Sequence, residues 1–244
     1  MADITALHSE LHRNLRVVTK RGAEYGENTH IVPVVADELR NLALEYPVVL
    51  VKDNESGRFS MCAMLGFDQG ENLFLDGDEW DAVYVPIQVR GQPFSLSYTA
   101  EKDGKPDPTS LVISLDMDSN RVQEEEGEKL FNEDGSGTPF LQRISNMLAE
   151  FRPAAASTEA FIDTLAKHDL VEAAQLDVQF PGGEKRRFEG LYTVHDEKLS
   201  KLEDDVLTDL YKRGYLQAAW LLLASIGNVR KLIMRRGRRH AAAS

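Results

Sequence analysis

Four carboxylates fall within six residues, Asp76, Asp78, Glu79 and Asp81, with Trp80 among them and Tyr84 shortly after. Two carboxylates in one cleft push their pKa values apart, which is how a general acid and a general base are made from the same residue type. Carboxylates are also costly to bury without partners. A turn at Asp76-Gly77 is therefore expected to display them at the surface, with the tryptophan as the kind of rigid anchor that dominates binding energies. Asp76, Asp78, Trp80 and Tyr84 become the candidate binding residues, an acidic rim around an aromatic anchor suited to a basic or glycan-like surface. Read structurally, the same stretch is an acidic β-turn with a tryptophan packed beneath it.

A second acidic stretch, Asp116-Met117-Asp118-Ser119-Asn120, offers oxygen atoms at positions one, three and five of a calcium loop. Arg121 then stands where such a loop needs glycine, and Gly127 where it needs a bidentate glutamate. The full loop fails, leaving Asp116, Asp118 and Asn120, with Glu124 or Glu126, as a weaker oxygen set for calcium or magnesium. Among the six histidines only His8 and His12 are closely spaced, and no His-Glu-x-x-His accompanies them. His195-Asp196 follows a strand-like run and reads as the start of a helix. The single cysteine, Cys62, sits inside the apolar run FSMCAML and reads as a small buried hydrophobe; it excludes an intramolecular disulfide and a Cys-rich zinc site. Neither a Gly-x-Ser-x-Gly elbow nor a glycine-rich phosphate loop is present. No catalytic residue, resident metal or cofactor is expected.

The elements that must position these residues follow from periodicity. Val48 to Lys52 and Phe59 to Leu65 are apolar or β-branched runs joined by Asn54-Glu55-Ser56-Gly57, a hairpin with glycine where φ is positive. Phe94, Leu96 and Tyr98 alternate with serines and, after a polar loop through Gly104, Pro106 and Pro108, Leu111, Ile113 and Leu115 alternate again, a second strand pair with one face buried. Leu176, Val178 and Phe180 with Pro181-Gly182-Gly183 give a third hairpin, returning through Phe188, Tyr192 and Val194. Helices are expected at Leu39 to Leu44, stopped by Pro47; at Gln123 to Phe131; from Pro139 to about Arg152; from Ser157 or Thr158 to Lys167; from a Ser200–Glu203 capping box to Gly214; and from Tyr215 to about Met234, where the chain is apolar nearly all round. The reading is an α+β fold: antiparallel β-hairpins with interspersed helices and a buried C-terminal helix in a single compact domain over residues 34–234. Before it lies a polar N-terminal arm, 1–33, loosely held and with a helical stretch near Ile4 to Leu15. After it comes a basic C-terminal tail, 235–244.

Of 244 residues, 42% are hydrophobic and 28% charged, a globular composition. The net charge is −12, yet residues 230–244 carry Arg230, Lys231, Arg235, Arg236, Arg238 and Arg239 and no acid. An acidic body repels phosphates, so nucleic acid is not the expected partner. The basic tail can serve as a solubilising, frayed helix end, or it can touch an acidic partner or an anionic membrane surface. Leu216 to Val229 is too short for a transmembrane span, which needs about 20 residues. The amino terminus lacks the basic start and uninterrupted apolar stretch of a secretory signal, so a cytoplasmic location is expected.

Five separated phrases carry a resemblance: EYPVVLVKD (45–53), GENLFLDGDEWDAVYVP (70–86), EEEGEKLFNEDGSGTPFLQ (124–142), GLYTVHDEKL (190–199) and RGYLQAAWLLLASIGNVRKL (213–232). Together they resemble the SapC family of bacterial proteins. The resemblance implies a link by family name to surface-layer biology and an accessory role in an uptake or modification system, with no catalytic signature attached. A protein that binds a protein partner is the leading reading. The alternatives are an enzyme whose site is assembled from Asp, Glu and Tyr residues distant in sequence, and a structural component of the surface layer.

Overall fold

A computed structural model describes residues 3–102, 105–107 and 110–242. In chain order the first half contains β1 (Ile4–Ala6), β2 (Arg16–Val17), β3 (Ile31–Pro33), α1 (Leu39–Leu42), β4 (Val48–Lys52), β5 (Phe59–Met64), β6 (Leu75–Asp76), β7 (Glu79–Trp80), α2 (Ile87–Arg90), β8 (Phe94–Tyr98), β9 (Glu101–Lys102), β10 (Lys105–Pro106) and β11 (Leu111–Asp116). Next come β12 (Val122–Gln123), β13 (Glu128–Lys129), α3 (Pro139–Lys167), β14 (Val171–Ala173), β15 (Leu176–Gln179), β16 (Lys185–Phe188) and β17 (Leu191–Val194). Four helices close the chain: α4 (Asp196–Leu199), α5 (Asp204–Lys212), α6 (Tyr215–Ser225) and α7 (Val229–Ala242). The fold is α+β with antiparallel pairing, as the alternating runs imply.

The chain divides into two compact units, each built from separate stretches. The first takes Met1–Asn28, Leu75–Trp80 and Ile87–Arg152; the second takes Thr29–Phe74, Asp81–Pro86 and Pro153–Ser244.

In the first unit β11 lies between β1 and β8, with Leu115 opposite Phe94 and Thr5. Their inward residues join Val17, Leu130, Leu141, Ile144 and Leu148 in one apolar core. The expected helix near Ile4 to Leu15 is absent; that segment instead supplies β1 and the turns leading to β2. Ile4 and Leu11 are exposed, whereas Val17 and Val18 that follow are buried. The expected helix over Gln123 to Phe131 is also replaced, by β12 and β13 flanking β2. Its run of glutamates offers a helix no apolar face. Gly127 at φ +98° bends the chain where a Cβ would stand 2.5 Å from the Val17 carbonyl oxygen. Gly104 and Pro108 of the expected loop between β8 and β11 lie outside the described residues.

In the second unit β4 and β5 form the expected hairpin, Val49 opposite Cys62 and Lys52 opposite Phe59, within a sheet ordered β14-β17-β4-β5-β3. Asp53 secures the turn by accepting from both the amide and the hydroxyl of Ser56, each at 2.6 Å, and Gly57 adopts φ +71°. The third expected hairpin is β15–β16; Tyr192 and Val194, expected to return in it, belong to β17 of the larger sheet. Helix α6 packs on β4 and β17, with Ala219, Leu222 and Ser225 buried. The Ser225 hydroxyl accepts from the Val48 amide at 3.0 Å.

Three helix boundaries differ from expectation. The two helices expected either side of Pro153 are one continuous α3, and Thr158, expected to cap the second, donates instead to the Ala154 carbonyl at 2.7 Å and accepts from the Ala36 amide. Ser200 does not open α5: it donates to the Asp196 carbonyl, and the helix begins at Asp204. The closing apolar run breaks at Ile226–Asn228 because the Asn228 amide reaches the carbonyls of Ala43 and Tyr46 at 2.8 and 3.1 Å. Trp220 and Met234 on its two halves face outward.

Candidate functional site

The acidic phrase forms a minimal hairpin in the first unit. Gly77, at φ +61°, turns the chain so that Asp76 pairs with Glu79 and Leu75 with Trp80. Leu75 is buried and Trp80 half-buried, while Asp76, Asp78 and Glu79 are exposed. Three of the four candidate binding residues thus share one hairpin, with their carboxylates in solvent. Tyr84 belongs to the second unit. Its hydroxyl donates to Glu38 Oε1 at 3.0 Å, its carbonyl accepts from the Tyr46 hydroxyl, and Glu38 is itself buried and accepts the Val35 amide through Oε2. Tyr84 therefore fixes the 81–86 loop on the wall formed by α1.

That loop carries a surface that sequence reasoning did not single out. Arg235 of α7 binds the Asp81 carboxylate through Nη1 and the Asp81 carbonyl through Nη2 at 2.7 Å, and its guanidinium lies 4.4 Å from the centre of the Phe74 ring. The Glu45 carboxylate accepts from the Val83 amide at 3.1 and 3.3 Å, and Lys231 Nζ donates to the Leu44 carbonyl at 2.6 Å. Three segments are tied together by polar groups, and each displays one apolar side chain: Leu44 is 68% exposed, Val83 97% and Met234 56%. Beyond them Arg230 and Arg238 are exposed one helical turn either side of Met234. The available signal was local: in DAVYVP the apolar residues outnumber what one buried face of a short loop can take.

The remaining candidates serve local structure. Asp116 accepts from the Asp118 amide at 3.2 Å, Asp118 from the Asp3 amide at 3.1 Å, and Asn120 donates to the Glu24 carbonyl at 2.7 Å. The three side chains are engaged with three different backbone groups. Among the described residues no group of three or more His, Cys, Asp or Glu stands ready to hold a metal. His12 is buried, and its Nδ1 accepts from the His8 amide at 3.0 Å, closing a turn. Cys62 is buried on β5, and loss of hydration pushes its thiol up to about 11, so it stays protonated and unreactive at neutral pH.

Charge is handled very differently at Arg121. Its guanidinium is enclosed in the first unit, donating to the carbonyls of Val18 and Lys20 at 2.9 and 2.6 Å and to Glu27 Oε1 at 2.6 Å. Glu27 also accepts from Arg21 at 2.7 Å and from the Gly22 amide at 3.0 Å. Burial lowers the Arg121 pKa, opposed by the Glu27 charge. The arrangement locks the loop between Val18 and Glu27.

Among the described residues no helix is long and apolar enough to cross a membrane. No curated protein and no solved structure matches the chain. The model of the SapC family matches residues 7–232, which spans both units and includes the acidic hairpin, the 81–86 loop and the start of α7; the chain belongs to the SapC family.

Proposed function

We propose that this SapC-family chain acts by binding a protein partner and carries out no reaction of its own. The observation that carries the reading is that three segments linked by the Glu45, Arg235 and Lys231 contacts each expose an apolar side chain, Leu44, Val83 and Met234. Apolar residues scattered singly over a surface need no explanation. These three sit on segments that polar groups bind to one another, so the surface is pre-organised and loses little conformational entropy on docking. Arg230 and Arg238 give it a basic border, which suits a partner whose apolar knob is ringed by acids.

The acidic hairpin supports a second contact in the first unit. Asp76 and Asp78 are exposed and Trp80 is half-buried, leaving part of an aromatic anchor accessible beside two carboxylates. The link to the bacterial surface or to nutrient uptake would be read from the identity of the partner.

The test is quantitative co-purification with three proteins: the natural chain, Val83→Asp with Met234→Glu, and Asp76→Asn with Asp78→Asn and Trp80→Ala. Loss of one specific partner from the first variant, with an unchanged melting temperature, supports the reading. Undiminished capture by both variants removes it. Turnover of a small substrate by the purified protein would put the enzyme reading in its place, and recovery of the chain in a cell-envelope fraction as a lattice component would favour the structural one.

A further inference from the structure

A cavity of about 430 Å³ in the second unit opens beside α4. Its size falls within the roughly 300–1,000 Å³ typical of small-ligand sites. Leu170, Leu202 and Val206 give it an apolar wall, and His195, Glu197, Lys198, Lys201 and Glu203 are among its polar lining.

His195 is fixed by its backbone, whose amide donates to the Leu170 carbonyl and whose carbonyl accepts from the Leu199 amide, both at 2.9 Å. Its ring is oriented too. Nδ1 is buried without a hydrogen bond and lies 3.6 Å from Glu172 Oε2, while about a quarter of the side chain remains accessible, 26%. With Nδ1 turned toward the Glu172 carboxylate, the other ring nitrogen is the one left for a ligand. His195 is thus set to read a carboxylate from the cavity side.

The charged groups around it divide into those already engaged and those left over. Lys198 is engaged: it donates to the Asp169 carboxylate and to its carbonyl at 3.2 Å, holding Asp169 in the left-handed region at φ +56° and fixing the end of α3. Lys201 meets Glu197 only at 3.8 Å, with both side chains mostly in solvent. Glu203 has no ion pair among the described residues, and it sits at the start of α5. A cation held only by a loose, exposed pair and an anion with no ion pair among the described residues therefore border one apolar wall.

We propose that this cavity binds a small amphoteric ligand, an amino acid with an aliphatic side chain. Its carboxylate lies between His195 and Lys201, its ammonium faces Glu203, and its side chain covers Leu170, Leu202 and Val206. A singly charged acid would leave Glu203 opposing it, and a singly charged amine would leave His195 without a partner from the cavity and Lys201 with only its loose pair to Glu197.

The experiment follows the His195 ring signals by NMR while leucine, hexanoate or hexylamine is added to the full chain. Leucine is expected to move them saturably in the millimolar range or below, with each singly charged probe weaker by about tenfold or more, the loss of one charge-assisted contact. Glu203→Gln, at an exposed side chain, should weaken leucine by about the same factor and bring it level with hexanoate. His195→Gln should weaken leucine and hexanoate alike, with folding checked by circular dichroism and binding read from the His168 ring, which also lines the cavity. No response to leucine, a singly charged probe binding within that margin of it, or an unaltered leucine affinity in Glu203→Gln would each overturn the proposal.

Discussion

The two ends of the chain pose the same problem, a polar segment rich in arginine near it, and the molecule solves it in two ways. At the amino end a fully enclosed guanidinium and carboxylate, Arg121 and Glu27, clamp residues 17–27 within the first unit, with side-chain exposures of 2% and 0%. At the carboxyl end α7 lays three arginines across the second unit at graded depth. Arg236 is nearly buried, paired with Asp68 at 2.8 Å and stacked 4.3 Å from the Phe180 ring centre; Arg235 is part-buried on Phe74; Arg239 donates to the Asn72 carbonyl at 2.9 Å. An enclosed pair is all or nothing, because each ion has given up several kcal/mol of hydration and relies on the other. A graded row loses stability piecemeal. What an arginine contributes is decided by how much water its partner keeps.

The largest effect should therefore come from Glu27→Gln. It leaves the Arg121 charge enclosed without its counter-ion, and a loss of about 3–5 kcal/mol in urea unfolding is expected. Replacing both partners, Glu27→Leu with Arg121→Met, should recover part of that loss, since an apolar pair carries no desolvation cost. Recovery stays incomplete because the carbonyls of Val18 and Lys20 lose their donors. A single-variant loss under about 1 kcal/mol would show that water reaches the pair and erase the contrast.

Arg236→Ala comes next, at roughly 2 kcal/mol for an ion pair whose guanidinium is nearly buried and stacked on Phe180. By the same contacts, removing residues 235–244 should lower the melting temperature by about 4–8 °C, at 2–4 °C per kcal/mol for a chain of this size. Where a solubilising, frayed helix end is one expectation, α7 continues to Ala242 with Arg235, Arg236 and Arg239 engaged. Gly237 shows how closely the helix is seated: a Cβ there would come 2.7 Å from the Pro181 ring. Acid sharpens the point. Partial burial tends to raise the Asp68 pKa, but hydrogen bonds and charge from Arg186 and Arg236 outweigh it and hold the carboxyl below its ordinary 3.8. A depressed carboxylate stabilises the fold above its unfolded pKa, near 4, and that contribution disappears as pH falls through the folded value. The gap between the natural chain and Arg236→Ala should accordingly be full at pH 6 and shrink below about pH 4; a gap unchanged at low pH would mean that Arg236 acts through Phe180 rather than Asp68.

Arg235→Ala should cost less, about 1 kcal/mol or under, because Asp81 is 68% exposed and only the stacking on Phe74 escapes screening by salt. Raising ionic strength should narrow this difference while leaving that of Glu27→Gln nearly untouched, since enclosed pairs are screened far less than exposed ones. Equal salt sensitivity at the two sites would contradict the distinction between the ends.

Much of the fold was legible because it is local. The β4–β5 hairpin and the β8–β11 pair announce themselves through a period of two and turn residues such as Gly57. What stayed hidden depends on distance. Strand β2 is two residues long, too short to show a period, and exists because β12 and β13 close on it. Arg121 reads in sequence as the residue that spoils a calcium loop, and its partner Glu27 is 94 positions away. Helix α3 runs through Pro153 although the residue predicts a break, since tertiary packing outweighs one missing hydrogen bond. Of the candidate site, the hairpin bearing Asp76, Asp78 and Trp80 was readable from composition and the turn glycine. The linkage of the segments that expose Leu44, Val83 and Met234 was not, because it depends on α7 meeting the 81–86 loop.

The smallest stability effect belongs to Val83→Asp, and it separates the two ends by purpose. Val83 is 97% exposed and only its amide is bound, to Glu45, an interaction that any side chain preserves. Stability should stay within about 0.5 kcal/mol of the natural chain, as for surface positions in general. Binding is another matter. A carboxylate in place of an apolar contact residue must be desolvated on docking, and for a partner ringed by acids it adds repulsion. Capture should fall at least about tenfold, the equivalent of 1.4 kcal/mol. Arg235→Ala, which frees the loop that carries Val83, should weaken capture more than its small stability cost predicts, whereas Glu27→Gln should reduce capture only in proportion to the unfolded fraction. If Val83→Asp left capture intact and Glu27→Gln abolished it in protein that remains folded, the functional end of the molecule would be the other one.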